Sequence, residues 1–212
     1  FSYADTGSIL KEIEVSGNSA ENGAGLDIWN STININSLTI TNNTASDNGG
    51  GLRFWTSTSS VTSTTISNNT ATSDNGGGVE VSYGSSVTIN TSTISDNTAG
   101  NDGAGLEITG KSDEKSTLSM TDTTISGNTA TSGGGIYCVT ASPELTGLII
   151  SDNTADTHGG GVYIYDYADP TFTNVTISGN VADVEGGGIW TNRNSSPSFT
   201  NVTMSNNEAS VA

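Results

Sequence analysis

Apolar residues in this chain fall in short alternating runs that return at regular intervals. One set reads Leu26-Asp27-Ile28, Leu52-Arg53-Phe54, Val79-Glu80-Val81, Leu106-Glu107-Ile108, Ile136-Tyr137-Cys138, Val162-Tyr163-Ile164 and Ile189-Trp190-Thr191. A second set is clearest in Ser86-Val87-Thr88-Ile89, Thr171-Phe172-Thr173 and Ser198-Phe199-Thr200. A third contains Leu38-Thr39-Ile40, Val175-Thr176-Ile177 and Val202-Thr203-Met204. Alternation with period two in runs this short predicts β-strands. No run carries a helical stripe.

Turn-forming residues recur between the strands. An asparagine stands at Asn18, Asn43, Asn69, Asn97, Asn128, Asn153, Asn180 and Asn207, and an alanine follows two positions later, from Ala20 to Ala209. A glycine triplet, or Gly-Ala-Gly, closes at Gly25, Gly51, Gly78, Gly105, Gly135, Gly161 and Gly188. The asparagines are 25 residues apart at the shortest (43 minus 18) and 31 at the longest (128 minus 97). A period of that size over the whole chain means a solenoid. Between the second and third strands lies one small or polar residue: Ser37, Ser63, Thr91, Asp122, Gly147, Asn174 or Asn201. Asn and Gly tolerate a left-handed backbone, so a sharp corner is expected there. Three strands and three corners per turn predict an all-β parallel β-helix of triangular section, with about 7–8 coils of ~27 residues. Residues 1–212 then form a single domain, read as a segment of a longer secreted or surface protein. The asparagines are expected to stack in the corner after the third strand, bonding backbone and neighbouring amides. The glycines are expected where φ is positive or where coils touch.

Composition fits this architecture. Only 32% of residues are hydrophobic, too few for a conventional core of this length but enough for a thin stripe per coil. With 22 Asp+Glu against 5 Lys+Arg, the formal net charge is -17. That excess argues against nucleic acid and anionic membranes as partners, since both need basic patches. No apolar run is long enough to predict a membrane-spanning helix. The lone Cys138 excludes an internal disulfide and is expected to face inward.

Gly134-Gly135-Ile136 together with the recurring Ile-Ser-x-Asn resembles the repeats of chlamydial polymorphic outer-membrane proteins, which carry Gly-Gly-Ala-aliphatic and Phe-x-x-Asn. Where those repeats have Phe, this chain has Ile, Val or Met. Similar repeats occur in secreted right-handed parallel β-helix proteins of the pectate-lyase-like class. The resemblance covers nearly the whole chain. It implies a right-handed coil, consistent with the handedness of parallel crossovers, and a passenger or adhesin-like domain outside the cell. It further implies that the sheet of first strands lines a saccharide groove. The Asp-Asp, Gly-His-Gly and Arg-x-Lys signatures of polygalacturonase-like enzymes do not occur.

Outward positions of the first strands hold Asp27, Trp29, Arg53, Trp55, Glu80, Glu107, Tyr137, Tyr163, Tyr165 and Trp190, which include all three tryptophans. Aromatic rings beside carboxylates and an arginine suit sugars, which offer apolar faces and hydroxyl edges, so a polysaccharide or surface glycan is the expected partner. Packing along the sheet explains the same aromatics without a ligand. Glu80 and Glu107 read either as a solvated acidic ladder or as an acid/base pair of a glycosidase, with Arg53 the basic candidate of a lyase. The flat, unlidded wall of a regular solenoid speaks against catalysis. Asp47, Asp74 and Asp102 precede glycines in successive coils, where stacked charges would call for a cation such as Ca²⁺; no cofactor is otherwise required. His158 is expected in a solvated loop. A Thr-x-Thr/Ser array on the third strands, from Thr39 and Thr41 to Thr203 and Ser205, resembles an ice-binding face. Exposed pairing edges at either end would let subunits stack head to tail into a filament. A charged insertion, Gly110-Lys111-Ser112-Asp113-Glu114-Lys115, is expected in the loop after one first strand.

Overall fold

The computed structural model describes residues 7–111 and 114–210. Ser112 and Asp113 of the charged insertion lie outside the described residues. The chain winds as a parallel β-helix with no helix among the described residues. Every strand pairs in parallel with its equivalents in the coils before and after. Sheet 1 has seven strands: Leu26–Trp29, Leu52–Trp55, Val79–Ser82, Leu106–Thr109, Ile136–Val139, Val162–Tyr165 and Ile189–Thr191. Sheet 2 has eight strands, from Ser8–Lys11 to Ser198–Thr200, and sheet 3 has eight, from Glu14–Ser16 to Thr203–Ser205.

These three walls are the ones the alternating runs predict. Each coil also carries a fourth, two-residue strand, such as Thr44–Ala45 or Thr70–Ala71, and eight of these form sheet 4. The alanine column therefore belongs to a short wall rather than to a bare corner. Ala45, Ala71 and Ala155 are fully buried in it.

Register stacks like on like. Ile40, Ile66, Ile94, Ile125, Ile150 and Ile177 form one inward column of sheet 3. Phe54 lies between Ile28 and Val81, and Cys138 between Ile108 and Ile164. Burying each aliphatic side chain away from water contributes about 1.5–3 kcal/mol. The core is thus a line of contacts along the axis, with each coil stabilised by its two neighbours.

Corners are made by left-handed residues. Ser37, Ser63, Thr91, Asp122, Gly147, Asn174 and Asn201 all have φ between 47° and 66°. A second left-handed corner leads from sheet 3 to sheet 4, at Asn42, Asn68, Asp96, Gly127, Asp152, Gly179 and Asn206. The asparagine column follows it immediately. Asn97 Nδ2 donates to Ile66 O at 3.1 Å and to Asn128 Oδ1 at 3.0 Å, while its Oδ1 accepts from Asn69 N and Nδ2. Asn43, Asn69, Asn128, Asn153 and Asn180 make the same links. Glycine is required beside them. A Cβ on Gly51 would lie 2.5 Å from Gly78 O and 3.1 Å from Asn69 Nδ2.

Hydroxyls do similar work in the N-terminal half. Ser31 N donates to Ser57 Oγ, and Ser57 N to Ser85 Oγ. Thr64 and Ser92 are linked in the same way, Thr64 N donating to Ser92 Oγ.

Candidate functional site

Sheet 1 begins just after the glycine triplets, so its outward side chains stand beside the glycine turns. In register, Asp27 pairs with Arg53, Arg53 with Glu80, Glu80 with Glu107, Glu107 with Tyr137, Tyr137 with Tyr163, and Tyr163 with Trp190. Two residues further along each strand, Trp29 pairs with Trp55, and Trp55 with Ser82. The three tryptophans therefore share one wall. All the expected first-strand residues are brought together, divided into an acidic half and an aromatic half.

The acidic half contains a cleft of about 390 Å³, lined by Asp47, Asn48, Arg53, Trp55, Asn75, Glu80, Ser82, Tyr83, Glu107 and Thr109, with Asn22 at its edge. The wall here is indented rather than flat. The expectation of a solvated ladder is overturned, because Glu80 is 5% exposed and Glu107 4%. Their neighbours in adjacent coils rise around them. Tyr83 has φ 52° and its ring stacks on Trp55 with centroids 3.4 Å apart. An aromatic residue in the left-handed region is uncommon and strained. Lys111, from the charged insertion, places its ammonium 3.7 Å from the Tyr83 ring centroid. The Lys111 and Glu114 backbones close that insertion with two mutual hydrogen bonds.

The electrostatics follow from this burial. Glu80 Oε1 accepts from Ser82 Oγ at 2.7 Å, while Oε2 is buried and has no partner. Burial pushes the Glu80 carboxyl up to about 7, against the opposing pull of the Ser82 hydrogen bond and the Arg53 charge. Glu107 Oε1 accepts from Asn75 Nδ2 at 3.1 Å. Burial, reinforced by the charges of Glu80 and Asp74, holds Glu107 well above the usual carboxylate range. Two such carboxyls on adjacent rungs disfavour one another's charged forms. Arg53 is not free to act as a base. Its guanidinium grips Asp27 through Nε–Oδ1 at 2.8 Å and Nη2–Oδ2 at 3.0 Å, and it lies 5.2 Å from the Trp55 ring centroid.

The aromatic half is a pile of rings. Tyr137 and Tyr163 stack at 4.9 Å, and Tyr163 and Trp190 at 4.7 Å. Tyr165 lies 5.8 Å from Tyr163 and receives a hydrogen bond from Arg193 Nη1 on its hydroxyl. Because these rings use their faces on one another, they present edges and polar tips to solvent. Tyr163 is pushed up to about 12, chiefly by burial. His158 is more involved than a solvated loop residue. It packs 4.8 Å from Trp190, and its Nε2 is 3.8 Å from Glu185 Oε2, which also accepts from Trp190 Nε1.

The three aspartates do not form one column. Asp102 N donates to Asn75 Oδ1, whereas Asp74 O accepts from Asn101 N. Asp102 therefore occupies the position of Asn75, one residue out of step with Asp74. Among the described residues, no group of three or more His, Cys, Asp or Glu side chains is placed to hold a metal ion. Cys138 is buried as expected, and burial pushes its thiol up.

Two features of the cleft go beyond the sequence expectations. Tyr83 lies in a corner, where alternation carries no information. The rim asparagines Asn22, Asn48 and Asn75 form a second ladder, Asn48 N donating to Asn22 Oδ1 and Asn75 N to Asn48 Oδ1. Their signal was the repeated Asn-Gly-x-Gly, as in Asn75-Gly76-Gly77-Gly78.

A family model described as a right handed beta helix region matches residues 3–146 and 114–212. Nothing among curated proteins or solved structures matches the chain.

Proposed function

The chain belongs to the right-handed β-helix family, and on that premise we propose that it is an extracellular binding domain for a polysaccharide or surface glycan, held along sheet 1. The observation that carries this reading is the continuity of the wall. An exposed Trp29, the Trp55–Tyr83 pair, the Glu80–Glu107 cleft and the Tyr137–Tyr163–Trp190 pile succeed one another in register. The outer strands are six rungs apart, about 29 Å at ~4.8 Å per rung, which suits an extended chain of several sugar rings. The exposed Trp29, the acidic cleft and the edges and polar tips of the ring pile offer such a chain apolar and hydrogen-bonding contacts in succession. Tyr83 adds support. Its corner position favours Asn or Gly, yet it carries the aromatic ring that walls the cleft.

Retention on a glycan array tests the reading. Trp29 is 47% exposed, so Trp29→Ala is expected to keep the fold and lose retention. Trp55→Ala is expected to lose retention together with the Tyr83 stack. Retention unchanged in both variants, or no glycan retained by the native chain, rejects it.

A further inference from the structure

We infer that the cleft over Glu80 and Glu107 is a subsite for a primary ammonium group, so that the saccharide held along sheet 1 is a polymer of hexosamine with free amines. This rests on the saccharide reading above and narrows it.

Two observations point the same way. The first is charge. The cleft gathers Asp47, Glu80 and Glu107, and the charges of Asp74 and Asp102 also act on Glu107. Arg53 is the one cation among the lining residues, and Asp27 grips it with both carboxylate oxygens. The whole chain carries -17. A uronic acid polymer would be repelled from this field, and a cationic polymer drawn to it.

The second is a missing donor. Glu80 Oε2 is buried and unpartnered in a side chain that lines the cleft and is 5% exposed. A buried oxygen left unmet is costly, and a cation entering beside Glu80 would draw its raised carboxyl to the ionised form. A sugar hydroxyl brings a single donor, whereas an ammonium brings several N–H donors and a charge. Hydrogen bonds between an ammonium and a carboxylate are among the stronger ones, the more so in a site shielded from water.

The test is calorimetric titration of the whole chain with an oligomer of glucosamine near pH 7, where the Glu80 carboxyl is part ionised and the amines are part charged. The comparison ligands are the fully N-acetylated oligomer, a galacturonate oligomer and an oligolysine peptide. The glucosamine oligomer is expected to bind roughly tenfold or more tightly than its acetylated form, the scale of one charge-assisted contact. Glu80→Gln, with Glu107→Gln as the second variant should the first not fold, is expected to erase that preference so that the two oligomers bind alike. Equal or tighter binding of the acetylated or galacturonate oligomer overturns the ammonium subsite and leaves the saccharide reading standing. Tighter binding of oligolysine overturns the assignment of the ammonium to a sugar. Binding of no oligosaccharide sinks the saccharide reading itself.

Discussion

Glu80 and Glu107 stand side by side in register on neighbouring parallel strands of sheet 1, and both are almost wholly buried in the floor of the cleft they line. Like charges one rung apart in a shielded place cannot both ionise freely. Their protonation is therefore tied to folding.

Glutamate in an unfolded chain ionises near pH 4.3, whereas the folded Glu80 carboxyl is held up to about 7. Between those values the folded state binds more protons, so stability falls as pH rises. The contribution is complete below about pH 4 and lost as pH climbs through about 7. Denaturant titrations across that range are expected to show native stability declining relative to Glu80→Gln. Above neutrality the variant is expected to be more stable by on the order of 1–3 kcal/mol. A native-minus-variant difference that stays constant with pH contradicts the buried pair.

Asn97 tests the ladder. Its side chain serves Ile66 O, Asn128 Oδ1 and the backbone and amide of Asn69. Asn97→Ala leaves several of these groups buried and unmet, for an expected loss of about 3–5 kcal/mol in thermal or chemical unfolding. Asn97→Asp keeps the shape and the acceptor but removes both donations, and is expected to be no better tolerated. Asn18 is the exposed first rung, and among the described residues its Nδ2 donates to Asn43 Oδ1 alone. Asn18→Ala is expected to cost below about 1 kcal/mol. Equal losses at the two positions would contradict a ladder whose strength depends on burial.

Ser59 interrupts the apolar run of Ile33, Val87 and Leu118 in sheet 2. It is paired between Ile33 and Val87, is 6% exposed, and its Oγ has no partner. Ser59→Val restores the column and removes the orphan hydroxyl. An increase in stability of about 1–2 kcal/mol is expected by denaturant unfolding, from the unmet group and the added methyls together. A destabilised variant would show that the site has no room for the larger side chain.

Much of this was legible in the sequence for one reason: each signal was repeated in every coil. Leu52-Arg53-Phe54 alone is ambiguous, but seven equivalents in the same phase fix the strand, its register and its outward residue. The left-handed corner at Asn174 could be anticipated because Gly147 and Asn201 stand at equivalent places. Two-residue strands such as Thr70–Ala71 escaped, since two positions cannot display alternation. The burial of Glu80 and Glu107 escaped for a different reason. Alternation says only that they point outward; the cleft around them is completed by Asn75 and Tyr83, which lie in the turns on either side of the strands. Asp102 was misplaced because Asp74-Asn75-Gly76 becomes Asn101-Asp102-Gly103 in the next coil. Counting from the glycine, rather than matching residue type, gives the pairing the backbone adopts.

The asparagine ladder has direction. Asn69 Nδ2 reaches back to Ile40 O and forward to Asn97 Oδ1, and Asn153 does likewise with Ile125 O and Asn180 Oδ1. Every coil thus offers identical sockets above and below. Duplicating or deleting a complete turn strands no amide, whereas slipping by one residue strands them all. A rod of this kind can evolve only in whole turns, and its groove lengthens or shortens in the same steps of about 4.8 Å.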